Sequence, residues 1–324
     1  MSLRFTVILS VITNSILLHL IIHKSPKGLG AYRYLMMYIS VFEISYSFID
    51  FLLEVQMITK GDSTLAAFDA SRVFIPEWTW LPGLTFWIYC YGISLGNFAV
   101  HFVFRYLVVI GNKKWTTNYK ISIFISSAQI YGLSWAIVIS IFENRQKELD
   151  EFISSEIERF QGVPIDKVIY FGFRFFKKTK YGKNMNWFGL LGLFLMTSLL
   201  LSSSMIMFYF GIECYSALSS VSSLSKKSRN LQRQLFFSLV LQTFIPVILM
   251  YLPCFLVILT CFFGETSEIY GQMQTFAISI FPVIDPLPSI IVIQPYREAL
   301  IGFVKSFKRF RKQKMASESQ ETNF

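Results

Sequence analysis

Charge is scarce in this chain. Asp, Glu, Lys and Arg make up 15% of its 324 residues, against about 25% in an ordinary soluble domain, which argues against a cytosolic enzyme. Cysteine is scarcer still, with four residues in all, so a disulfide scaffold is excluded. There are three histidines and no H-E-x-x-H, paired-cysteine zinc pattern or phosphate loop, the arrangements that hold metals or nucleotides. No cofactor and no metal are therefore expected. Asn-x-Ser/Thr sequons, internal repeats and low-complexity runs are absent as well. What fills the sequence is apolar: 53% of residues are hydrophobic, and 34 are Phe. That hydrophobicity excludes disorder. A net charge of +10 would fit a nucleic-acid binder, but such proteins are not built from apolar blocks, and no nucleic-acid partner is expected. A membrane protein remains, with its positive charge still to be located.

A helix crossing about 30 Å of hydrocarbon needs roughly 20 mostly apolar residues. Seven segments qualify: 5–23, 34–53, 83–109, 121–142, 187–212, 235–263 and 273–294. Stretches such as Leu190 to Met196 are apolar on every side, so helices fit and the alternating strands of a barrel do not. The second segment is the most polar, with Glu43 and Asp50; the seventh is interrupted by Pro282, Pro286 and Pro288. No small-residue cleavage site follows the first, so it reads as a retained helix rather than a signal peptide. The expected fold is an all-α membrane protein. A seven-transmembrane helix bundle occupies 1–294, and a cytoplasmic tail 295–324 carries a short amphipathic basic segment at 298–312.

The charges set the orientation. Loops 24–33, 110–120 and 213–234 and the tail hold 17 Lys and Arg against four acids. The N-terminus and loops 54–82, 143–186 and 264–272 hold 12 against 13 acids. Lys and Arg in short loops stay on the cytoplasmic side, so the N-terminus reads as extracellular and the C-terminus as cytoplasmic. In the tail, Leu300, Phe303, Phe307 and Phe310 recur at helical spacing between Lys305, Lys308, Arg309, Arg311 and Lys312. Such a segment lies on an anionic leaflet, which makes membrane lipids a partner. A frayed basic tail is the alternative.

Local sequence adds a resemblance. Gly30 to Met36 follows the first span, Phe102-Val103-Phe104-Arg105-Tyr106-Leu107 closes the third, and Tyr209 to Tyr215 closes the fifth. Leu231 to Phe236 opens the sixth, which continues Gln242 to Tyr251, and the seventh carries Phe281-Pro282-Val283-Ile284-Asp285-Pro286-Leu287-Pro288. Together these blocks resemble the nematode serpentine chemoreceptors of the Str family, over nearly the whole chain. The resemblance implies a rhodopsin-like G-protein-coupled receptor. It would sit in the plasma membrane, in the sensory cilia of chemosensory neurons, bind a small odorant or soluble cue, and activate a heterotrimeric G protein. The chain departs from the broader rhodopsin-like pattern in three places. Phe104 stands where an acid precedes the arginine, Asp285-Pro286-Leu287-Pro288 replaces Asn-Pro-x-x-Tyr, and loop 143–186 has no cysteine to pair with Cys90.

Ionisable residues inside a bilayer are functional candidates by default. At about 1.5 Å per residue, Asn14, Glu43, Asn97, His101 and Asp285 lie near one level, as a buried polar network. It either repacks on activation, with an ion or water inside it, or only fixes helix packing. Arg105 with Tyr106, and Lys226, Lys227, Arg229 and Arg233, are the candidates for G-protein coupling; Arg105 alternatively snorkels to the interface. Pro246, Pro253 and Pro286 are candidate activation kinks, since each removes a backbone donor. Phe86, Cys90, Tyr91, Ser94, Thr197, Tyr251, Phe255, Gln274 and Ile278 are the candidate ligand-binding residues, chosen by depth in the outer halves of the helices. The four cysteines read as packing residues.

Two other classes are weighed. Gly92-Ile93-Ser94-Leu95-Gly96 matches the G-x-S-x-G of serine hydrolases, but that motif needs a strand–turn–helix elbow and here falls inside a span, where small residues serve close packing. A seven-helix transporter or ligand-gated channel is the alternative function. A transporter would show inverted repeats and paired broken helices, and the first half has no counterpart to the proline-rich seventh span.

Overall fold

The computed structural model describes residues 3–179, 182–220 and 226–321. Seven helices in it are long and apolar enough to cross a membrane. They are α1 (Leu3–Lys24), α2 (Tyr32–Leu53), α3 (Trp80–Val109), α4 (Ile121–Phe142), α6 (Trp187–Ser220), the sixth span, and the seventh. The sixth is α7 (Lys226–Pro246) continued through a π-helical turn at Val247–Tyr251 into α8 (Leu252–Phe263). The seventh is α9 (Glu268–Ile284) and α10 (Pro286–Val292), with Asp285 at the break. A last helix, α11 (Gln294–Glu321), follows. Phe5, Ile8, Phe48, Ile130, Phe194, Met205, Phe208 and Ile248 lie exposed around the bundle. A belt of that kind belongs in hydrocarbon, where exposed apolar surface costs nothing.

Helix α3 is the hub and is buried over most of its length. Against α4 it makes a near-backbone contact. A Cβ built on Gly92 would lie 2.7 Å from Trp135 Cβ and 2.9 Å from Gly132 Cα. Gly96 faces the Tyr131 ring in the same seam. These glycines are therefore small for packing. Ser94 Oγ donates to the Cys90 carbonyl at 3.1 Å within the same helix, so the strand–turn–helix elbow of a hydrolase is not present there.

Two connections expected as loops carry structure. In 54–82, β1 (Gln56–Lys60) and β2 (Ser63–Asp69) form a hairpin. In 143–186, α5 (Lys147–Gln161) is followed by β3 (Val168–Arg174), and β4 (Phe176–Thr179) pairs with β5 (Gly182–Met185). Strands β1, β2 and β3 make one antiparallel sheet across one end of the bundle, called here the sheet end. Leu149, Ile153 and Ile157 of α5 recur at helical spacing and pack on Ile58, Ala67, Val168 and Tyr170 of that sheet. An ion pair between Arg174 Nε and Asp62 Oδ2, 3.1 Å apart, and the bond from Tyr170 OH to Asp150 Oδ1 at 2.7 Å pin these pieces together. All four cysteines are free, so the sheet, not a disulfide, ties the 143–186 segment to the bundle.

Hydropathy marks the edge of hydrocarbon, not the end of a helix. The fifth span accordingly runs on past 212 to Ser220, and the sixth begins at Lys226, before 235. The tail helix likewise extends beyond 298–312 at both ends. Its Phe303, Lys305, Lys308, Arg309 and Arg311 are exposed. The side chains of Phe307, Phe310 and Lys312 lie outside the described residues, as do those of Lys226 and Lys227.

Candidate functional site

Three features line up along the bundle axis. At the sheet end, a cavity opens between α3, α4, α6, α8, α9 and the sheet. Its walls are aromatic and aliphatic. Trp87 and Tyr91 stack with ring centroids 6.2 Å apart, Tyr91 meets Trp135 at 5.9 Å, and Phe173 meets Phe175 edge-on at 4.7 Å. Met57, Leu65 and Ala66 of the hairpin cap it. The cap is bonded to α9: Met57 N donates to Thr275 Oγ1 at 2.8 Å, Thr59 Oγ1 to the Ser267 carbonyl at 2.7 Å, and Gly271 N to Thr59 Oγ1 at 3.1 Å. Any Cβ at Gly271 would collide with the Met57 carbonyl. A largely apolar wall with few polar groups suits a small hydrophobic ligand.

Of the candidate ligand residues, the structure brings Tyr91, Gln274 and Ile278 to this cavity. Phe86, Thr197 and Phe255 are corrections: each is at the right depth but points outward from the bundle. In each case the neighbour, Trp87, Met196 or Cys254, lines the cavity instead, because one residue along a helix rotates the side chain by about 100°. Cys90 is buried in the core beside Trp87 rather than in the wall. Ser94 belongs to a deeper cavity. Tyr251, in the π-helical turn, packs on the same core, with its hydroxyl toward Ser203 and Ser204 of α6. Glu143 and the strand residues of the wall were missed, since no span contains them.

That deeper cavity, about 320 Å³, is the second feature. Glu43, Asn97, His101 and Asp285 all line it, with Ser94 and Gln242. The Glu43 carboxyl lies within hydrogen-bonding reach of Asp285 and of Asn14. Asn14 Nδ2 also donates to the Pro282 carbonyl at 2.9 Å. Gln242 Nε2, which the sequence reading did not single out, donates to the Asp285 carbonyl at 2.9 Å and so bridges the sixth and seventh spans. Asn97 Oδ1 and His101 Nε2 are buried without partners among the described residues. Unsatisfied buried polar atoms are costly, so this cluster favours an arrangement that would satisfy them. Asp50 stands apart: it accepts from Trp87 Nε1 and Ser279 Oγ, each at 2.8 Å, and joins α2, α3 and α9.

The third feature is Arg105. It does not snorkel; its side chain is 0% exposed. Its guanidinium lies 5.2 Å from the Tyr32 ring centroid, and Tyr32 in turn bonds His101 Nδ1 at 3.3 Å. Arg105 Nη2 donates to both the backbone carbonyl and the side-chain oxygen of Gln232 on α7, the former at 3.1 Å. Its Nε and Nη1 have no partner among the described residues. Tyr106 packs beside Phe210, and Arg233 is exposed on α7. Arg229 is partly buried and engaged. Pro246 immediately precedes the π-helical turn, Pro253 opens α8, and Pro286 opens α10. The backbone irregularities of both spans thus begin at residues that cannot donate an N–H.

Comparison with known proteins follows the same lines. The profile described as "Serpentine type 7TM GPCR chemoreceptor Str" matches residues 2–301. The chain is 30% identical over 309 residues to the G-protein coupled receptor str-217 of Caenorhabditis elegans, covering 91% of this chain and 87% of that one. It is 27% identical to the serpentine receptor class r-10 of the same organism, covering 86% and 83%. Among solved structures it is similar to squid rhodopsin, with a TM-score of 0.62 at 12% identity, over 92% of this chain and 82% of that one.

Proposed function

This chain belongs to the Str family of serpentine seven-transmembrane chemoreceptors, and from that premise we propose that it detects a small odorant or soluble chemical cue and activates a heterotrimeric G protein. It is a multi-pass membrane receptor; its family and fold are those of receptors rather than enzymes. In our reading the sheet end faces outward, at the plasma membrane of a sensory cilium. The tail end faces the cytoplasm, with the basic face of α11 on anionic lipid. The observation that carries this reading is the capped aromatic cavity at one end of the bundle. It supports capture of a small apolar ligand, while the buried Arg105–Gln232 clasp at the other end supports a releasable resting state.

The test is a ligand panel read as G-protein activation in cells expressing the full chain, with an epitope at the N-terminus. Expected are saturable activation by at least one small volatile or soluble compound, and epitope staining on intact cells. Staining that needs permeabilisation sinks the orientation and the receptor reading with it.

Signalling in this account passes through the polar cavity. Glu43→Gln combined with Asp285→Asn should lower agonist efficacy by about tenfold, a shift of ~1.4 kcal/mol between resting and active states. The measurement is a dose–response curve at matched surface expression. A full wild-type response would assign these residues to helix packing alone.

A further inference from the structure

Resting on the receptor reading, the geometry points to a specific ligand class for the sheet-end cavity: a small hydrophobic amine, bound as its cation, with its ammonium at Glu143 and its apolar body among the aromatic rings. Glu143 follows the last residue of α4 and stands in the cavity wall. Trp135, Ile139 and Glu143 are spaced four apart, so they share one face of that helix, and all three line the cavity. The span from Trp135 to Glu143 is about 12 Å at 1.5 Å per residue, room for a short apolar body.

The charge pattern is one-sided. Among the described residues Glu143 is the only carboxylate in the wall, and no Lys, Arg or His lines the cavity. Nor does any described cation pair with it. Arg145, two residues on, is committed to Asp150 and to the carbonyls of Val168 and Ile165. The carboxyl acts electrostatically on the Cys254 thiol of α8, which lines the same cavity. Its backbone carbonyl accepts from Gly172 N at 2.8 Å, which fixes its position against β3. Burial pushes the Glu143 carboxyl up to about 7, and a cation beside it would draw it into the ionised form. Around it stand Trp87, Tyr91, Trp135, Phe171, Phe173 and Phe175, whose ring faces attract cations. Among the described wall residues an anion would meet no counter-charge and one like charge.

The probes are two matched sets on fixed skeletons: isoamylamine, isoamyl alcohol and isovalerate, and phenethylamine, phenethyl alcohol and phenylacetate. Binding is read as a saturable rise in Tm of the purified full chain in lipid nanodiscs, without G protein. Amines should bind at least about tenfold more tightly than the alcohols, and the acids should not bind. Glu143→Gln should remove the amine preference, and Glu143→Asp should keep most of it. The inference is overturned by an acid or alcohol that binds as tightly as its amine. It is equally overturned by unchanged amine binding in a folded Glu143→Gln protein, or by no shift with either amine. Because the nanodiscs hold no G protein, Glu143-dependent amine binding supports the site even where cells show no activation; that second result would count against the receptor reading alone.

Discussion

An Arg105→Ala receptor should bind ligand with unchanged affinity and lose agonist-driven G-protein activation by at least about hundredfold. Arg105 is a buried cation held by a neutral partner. Its hydrogen bonds go to Gln232 and its other contact is the Tyr32 ring. Charge-assisted hydrogen bonds contribute about 1.5–3 kcal/mol each, and two guanidinium nitrogens are without a partner among the described residues. Swinging α7 away would free this group for carbonyls of an intracellular partner, and alanine has nothing to offer in its place. Affinity should hold, because fourteen residues of α3 separate Tyr91 in the cavity wall from Arg105, about 21 Å along the axis. Ligand binding and nucleotide exchange on the G protein, measured at equal surface density, separate the two effects. An undiminished G-protein response would refute the role given to Arg105.

Gly132→Val should have the largest effect on the amount of folded receptor. A Cβ at Gly132 would meet Ile93 Cγ1 at 2.6 Å, the Tyr89 carbonyl at 2.8 Å and Ile93 N at 3.0 Å. Two of these are backbone atoms of α3, which cannot rotate away. Overpacking costs about 1–3 kcal/mol even where side chains can yield, and here the two helices must separate. Surface-labelled receptor should fall several-fold, with a lower Tm for what remains. Normal surface levels and an unchanged Tm would mean that the α3–α4 seam is looser than the glycine contacts require.

The seven spans were legible because a bilayer demands long uninterrupted apolar runs, and Leu190 to Met196 admits no other reading. The polar cluster was legible for a related reason: Glu43 and Asp285 are too costly in hydrocarbon to stand alone, and equal depth brought them together. Rotation about each helix axis was not legible. Depth selected Phe86, Thr197 and Phe255, and the cavity is lined by the residue beside each. The sheet was hidden too, since β2 pairs with β3 across about a hundred intervening residues, a contact no local pattern announces. Glu143 fell in the same blind spot, one residue beyond a span, although its spacing from Trp135 and Ile139 was there to be read.

The bonding of β1 to α9 has a mechanical consequence. Met57 and Thr59 are fastened to Ser267, Gly271 and Thr275, and from there the helix, with Pro282 in its last turn, runs to Ile284, next to Asp285. A helix of that length, about 25 Å, is stiff against compression. The cap and α9 therefore form one bonded unit with one end at the sheet-end cavity and the other at Asp285 in the polar cavity. A displacement of the cap would, on this arrangement, reach the level of Glu43 and Asp285 through bonded backbone rather than through a relay of side chains.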